Sequence, residues 1–174
     1  GTYDPSTMTA GIYTYTVAGT GGCSDATATV TVTETTAPNA GTSGSLSICT
    51  SASSVNLYSY LTGSPATTGS WSGPSSTTGG YLGTYDPATM TAGTYTYTVT
   101  GTGGCSDATA TVAVTETSAP NAGSNGTLTI CSNGSSQNLY GSLTGSPATT
   151  GVWSGPSSTT GGYLGTYDPT TSTP

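Results

Sequence analysis

The pentapeptide GTYDP begins at Gly1, returns at Gly83 and returns again at Gly165, a fixed period of 82 residues. The residues around it repeat as well. Residues 1–35 and 83–117 match nearly letter for letter, and 63–87 return at 145–169 with one residue changed. A fixed period constrains a fold more than any local motif, because every copy must close on the same plan. The 174 residues hold a little over two periods. Cutting at the Pro-containing segments TTAPNAG (35–41) and TSAPNAG (117–123) gives one complete unit, 36–117. It is flanked by the back part of one repeat (1–35) and the front part of another (118–174). The Ala-Pro step favours an extended connection, so these segments are expected to be short, semi-rigid linkers.

Within each copy, period-two alternation predicts strands. Tyr95, Tyr97 and Val99 fall on one face with Thr96 and Thr98 on the other; after GTGGC, Ala108, Ala110, Val112 and Val114 alternate with threonine or other residues. Two alternating runs joined by a Gly-rich turn make a β-hairpin. The first copy places Tyr13, Tyr15, Val17, Ala26, Ala28, Val30 and Val32 in the same pattern. Outward Thr rows can mark an ice-binding face, but one or two such strands per period is too few for a flat array. Leu46 and Ile48 alternate into Cys49. Leu57 and Leu61 are spaced for one helical turn, and Trp71 sits in a short strand, SWS. A unit of this size is thin in hydrophobic core and gains from a covalent staple.

The chain has no Lys, Arg, His or Phe and seven acids, for a net charge of −7. Without a cation it cannot neutralise phosphates, so no nucleic-acid partner is expected. No apolar run approaches the ~20 residues that span a bilayer, and no membrane insertion is expected of this stretch. Catalysis is not expected either. Histidine and lysine are missing, no cysteine stands beside a base, and the acids are scattered singly. Asp4, Asp86 and Asp168 precede proline and read as turn formers. They lie in no calcium-loop pattern, so no metal and no cofactor are expected.

Cys23, Cys49, Cys105 and Cys131 follow one another at spacings of 26, 56 and 26. None forms a CxxC pair, and widely spaced cysteines in a small β domain suit disulfides in an oxidising compartment. Pairing Cys49 with Cys105 closes the complete unit and leaves Cys23 and Cys131 to partners outside these residues. The alternative joins Cys23 to Cys49 and Cys105 to Cys131 across the linkers. Short strands, Gly/Pro turns, one Trp and a closing hairpin describe an all-β chain of tandem immunoglobulin-like β-sandwich repeats, one disulfide per repeat. Tyr95 stands where such domains carry a tyrosine corner, and Tyr97 where a true immunoglobulin domain has its second core cysteine. Trp71 is then expected in the core, over a Cys49–Cys105 bridge.

The frame APNAG…LxIC…NLY…LTG…WSGP…GTYDPxTxTAGxYTYTVTGTxxCSDATATVxVT resembles the tandem repeats of giant surface adhesins and gliding-motility-associated proteins of Bacteroidota, over the whole chain. The resemblance implies type IX secretion, an extracellular location at the cell surface, and a role as stalk repeats of a long adhesive filament serving adhesion and gliding motility. The partners it implies are neighbouring repeats of the same chain and, through a distal tip, a surface polysaccharide or substratum. Two other readings compete. One gives Trp71, Tyr81 and Tyr85 to a glycan, making each repeat a binding module; the other makes the repeats passive spacers in a secreted multidomain enzyme.

Overall fold

The computed structural model describes residues 1–171. The chain divides into two units, Gly1–Thr117 and Ser118–Pro174. It is built of strands, short 3-10 turns and loops, as the alternation predicts.

The first unit opens with the expected hairpin. Strand β1 (Gly11–Val17) runs antiparallel to β2 (Ala26–Val32), in register from Gly11↔Val32 to Val17↔Ala26. Its one-period copy is formed by β7 (Gly93–Val99) and β8 (Ala108–Thr117), from Gly93↔Val114 to Val99↔Ala108. Gly103 and Gly104 adopt φ of +63° and +89° at the turn, a region open to glycine at no steric cost. The Asp107 carboxylate accepts the Gly101 N–H at 2.8 Å and ties the turn to the strand.

Between the hairpins lie β3 (Gly44–Cys49), β4 (Val55–Asn56), a 3-10 turn over Leu57–Tyr60, β5 (Ser70–Ser72), a second 3-10 turn over Gly80–Leu82, and β6 (Thr84–Tyr85). Strands β3, β8, β7 and β5 form one sheet in that order, and β4 pairs with β6 separately. The sheet is mixed, since β5–β7 and β7–β8 are antiparallel while β3 runs parallel to β8.

The face carrying Tyr95, Tyr97, Val99, Ala110, Val112 and Val114 is buried against Leu57, Leu61 and Tyr85, with Leu46 and Ile48 closing the β3 side. The intervening Thr residues stay on the wetter face, as a half-buried sheet requires. Tyr95 donates its hydroxyl to the Thr91 carbonyl, four residues upstream, at 2.7 Å, which is the bond expected of a tyrosine corner.

The expected linker at 35–41 belongs in part to the repeat. Ala40 is buried, and the Asn39 side-chain amide donates to the Gly63 and Ser64 carbonyls at 2.9 and 3.0 Å. An Asn amide offers two donors to adjacent carbonyls, so it pins the entry strand to the GSPATTG turn.

The second unit repeats the front-part geometry. Asn121 clamps the Gly145 and Ser146 carbonyls at 2.8 and 3.0 Å. Strand β9 (Gln137–Asn138) pairs with β10 (Thr166–Tyr167), and 3-10 turns cover Leu139–Ser142 and Gly162–Leu164. Residues 126–131 and 152–154 are not strands there, although their counterparts in the first unit are β3 and β5. Those two are strands only as partners of β8 and β7, and the second unit has no counterpart of either among the described residues.

Candidate functional site

Three features of the repeat 36–117 bear on what it can do. The first is the β3–β8 ladder. Six residue pairs, from Gly44↔Val112 to Cys49↔Thr117, join the first strand of the repeat to its last, in parallel. The Thr50 N–H extends it by donating to the Thr117 carbonyl at 3.0 Å. The chain enters the ladder at its Gly44 end and leaves it at its Thr117 end. Tension on the two ends therefore slides the strands past each other and loads the ladder's hydrogen bonds together rather than in turn.

The second feature is an aromatic stack around Tyr97, which is fully buried. Its hydroxyl donates to the Ala66 carbonyl at 2.6 Å and accepts the Gly69 N–H at 2.9 Å. Burial raises its pKa, against the opposing pull of that N–H. Trp71 lies 5.0 Å from the Tyr97 ring, Tyr58 meets Tyr97 edge-on at 5.7 Å, and Tyr81 meets Tyr58 edge-on at 5.1 Å. The Trp71 indole N–H donates to the Tyr81 carbonyl at 2.8 Å, with Gly83 lying against the indole.

The third feature is the buried Tyr85. Its hydroxyl donates to the Glu116 carboxylate at 2.5 Å, and its ring meets Tyr95 edge-on at 5.4 Å. Burial, and then that carboxylate, push the phenol well above the usual tyrosine range.

This geometry settles where the expected residues stand. Tyr85 cannot touch a glycan, because it is fully buried beneath β8 and committed to Glu116. Trp71 is half-buried and Tyr81 is 37 % exposed, but their shared hydrogen bond makes them a wall of the Tyr97 seat.

The Cys49–Cys105 bridge is not made; all four cysteines are free. Cys49 aligns with Thr117 at one end of β8, and Cys105 precedes Ala108 at the other. At ~3.3 Å per residue those ten residues hold the two apart by roughly 30 Å, whereas a disulfide needs Cα atoms within about 7 Å. Trp71 accordingly packs on Tyr97, not over a bridge. Cys49 instead shares a hydrogen with the Ser51 hydroxyl at 3.2 Å, and that contact lowers its pKa. Cys105 donates to the Thr35 carbonyl at 3.6 Å. Among the described residues no three acids and cysteines cluster closely enough to hold a metal ion.

Alternation along the chain gives no sign of the parallel β3–β8 pairing, which is a long-range choice. The seats for Tyr97 and Tyr95 did leave a signal: Gly69 and Gly73, whose added Cβ atoms would fall 2.4 Å from those rings, recur in the next copy as Gly151 and Gly155.

No family model matches the chain, and no curated protein matches it.

Proposed function

We propose that this chain is a stretch of stalk from an extracellular adhesive filament at a bacterial surface, each period a tension-bearing, immunoglobulin-like sandwich. The observation that carries the reading is the parallel β3–β8 ladder between the first and last strands of the repeat. The 82-residue period supplies the threading, since each copy hands its load to the next through a short Pro-containing connection. Support for a sandwich comes from β4, β6 and the 3-10 turn at Leu57–Tyr60, which pack as a small layer on the tyrosine face of the sheet. A chain with seven acids and no cation discourages lateral sticking between such filaments. The resemblance to Bacteroidota surface adhesins adds secretion by the type IX route and a role in gliding motility to the same reading.

Single-molecule extension tests it. Pulled from its ends, the repeat is expected to rupture in one cooperative, high-force event. With no bridge inside the repeat, residues 44–117 are all released, roughly 250 Å of chain at ~3.4 Å per residue. Pulled instead between Ser43 and Asp107, both beyond the Gly44–Val112 end of the ladder, the same repeat is expected to unzip at much lower force. Equal forces in the two geometries would sink the stalk reading.

A further inference from the structure

We propose that a disulfide joins successive repeats of one thread, the cysteine at the Cys49 position of one repeat bonding the cysteine at the Cys105 position of the repeat that follows. Two carbonyls one period apart carry the inference. Thr117 is the register partner of Cys49, and its carbonyl accepts the Thr50 N–H at 3.0 Å. Thr35 holds the same place one period earlier, and its carbonyl accepts the Cys105 thiol at 3.6 Å. Gly103 lies against the Thr35 side chain at the same contact. Superposing the two by the period sets two cysteines around one carbonyl, one from the repeat that is ending and one from the repeat that has begun. Paired strands lie ~4.8 Å apart, so both sulfurs fall within the reach of a disulfide, whose Cα atoms stand within about 7 Å.

The parallel ladder explains why the partners sit in different repeats. Cys49 ends β3 at the exit end of the repeat, while Cys105 precedes β8 at the entry end. Inside one repeat they are a strand's length apart; across a boundary, exit end meets entry end. Cys23 stands before β2, at the far end of that strand from Thr35, which separates it from the boundary where Cys105 lies. Within residues 1–174 no two cysteines stand in the proposed relation, and all four are free.

Both sulfurs are presented on turns that keep their shape from copy to copy. The Cys105 N–H donates to the Thr102 carbonyl at 3.1 Å and the Gly101 N–H to Asp107 at 2.8 Å; one period earlier Cys23 donates to Thr20 at 3.3 Å and Gly19 to Asp25 at 2.9 Å. The Cys49 carbonyl accepts the Ala52 N–H at 2.9 Å, as the Cys131 carbonyl accepts the Gly134 N–H at 2.9 Å. The Ser51 hydroxyl favours the Cys49 thiolate, which makes Cys49 the first nucleophile. With oxidised glutathione as the oxidant, the Cys49 thiolate attacks one sulfur and expels a glutathione thiolate. The second cysteine, as its thiolate, attacks the mixed disulfide at the Cys49 sulfur and expels the other. The two protons of the protein thiols end on the two glutathiones, and the two electrons with them.

Such a bond redraws the load path. Tension enters a repeat through its linker, runs along β3 to the Cys49 position, crosses to the next repeat at the Cys105 position and leaves along β8. Residues 50–104 lie outside that path, so roughly 190 Å of chain per repeat, at ~3.4 Å per residue, is withheld from extension. The load path rests on the stalk reading; the bond does not, and the two have separate readouts.

The full chain lengthened by one period, with residues 36–117 present in two successive copies, tests the bond. Cys23→Ser and Cys131→Ser remove the flanking thiols. Three variants then keep one pair each: Cys49 of the first copy with Cys105 of the second, Cys105 of the first with Cys49 of the second, or both cysteines of one copy. Each is compared with the parent by chemical denaturation in reductant, then treated with oxidised glutathione. Only the first variant is expected to lose both thiols and two hydrogens of mass while remaining a single chain. Free or glutathione-capped thiols in that variant, or closure of either of the others, overturns the pairing. Pulling the same lengthened chain from its ends reads the load path. Under reductant each copy is expected to release roughly 250 Å at ~3.4 Å per residue, and after oxidation both steps are expected to vanish. Steps of that size in the bridged chain overturn the load path.

Discussion

Tyr85 and Glu116 are joined by a 2.5 Å hydrogen bond at the edge of the core, and Tyr3 and Glu34 repeat it one period earlier. Each pair ties the GTYDP turn to the end of the hairpin's second strand, so the motif that marks the period also latches its last strand. Tyr85→Phe keeps the ring and removes only the latch. It is expected to cost about 1.5–3 kcal/mol, the range for a bond to a charged acceptor, as read by chemical denaturation of the full chain.

The same phenol sets a pH dependence. The folded pKa of Tyr85 is raised above the ordinary value of 10, through burial first and then Glu116. The folded state therefore keeps a proton that the unfolded chain gives up. The stabilisation is fully present below about pH 10 and is lost as pH rises from there toward the folded pKa. Melting temperatures are expected to fall above about pH 10, with Tyr85→Phe flattening part of that decline. Tyr3, pushed up to about 12 chiefly by its bond to Glu34, is expected to titrate late in a tyrosinate absorbance titration. An early, uniform titration of every tyrosine would contradict both assignments.

Gly83 has φ of +61°, and an added Cβ would fall 2.4 Å from the Trp71 indole nitrogen. Gly83→Ala meets backbone strain and a ring that cannot retreat without losing its bond to Tyr81. A loss of about 2–4 kcal/mol is expected, with a change in tryptophan fluorescence.

Trp71→Ala separates a structural wall from a sugar platform. Removing the indole strips one packed ring from Tyr97 and is expected to cost about 3–5 kcal/mol, with loss of the cooperative transition of the middle repeat. A variant that melts like the parent but no longer adheres to a polysaccharide would restore the glycan reading for Trp71 and Tyr81.

The parts of the fold that lie close together in sequence were legible. The Tyr95–Val99 and Ala108–Val114 runs announce their hairpin, because alternation and a Gly-rich turn are local signals. Leu57 and Leu61 bracket a turn that forms over Leu57–Tyr60, and Trp71 stands in the short strand expected of it. The pairing of Cys49 with Cys105 failed because spacing says nothing of register. Only the placement of β3 beside β8 shows that the two stand at opposite ends of one strand. Tyr85 looked as available to a ligand as Tyr81 for a similar reason. Its burial depends on Tyr95 and Glu116 arriving from later in the chain. The segment around Asn39 read as a linker because its two carbonyl partners lie about 25 residues on.

The glycine seats beneath Tyr95 and Tyr97 recur unchanged at Gly151 and Gly155, and the hairpin that fills them recurs almost unchanged as well. An array built this way cannot tell its own closing hairpin from a neighbour's by shape. It relies on tethering: the few residues from Tyr85 to Gly93 keep the correct hairpin at far higher local concentration than any stranger. When tension opens one module that tether persists, so relaxation returns the module's own hairpin first, and connectivity rather than shape keeps the modules in order.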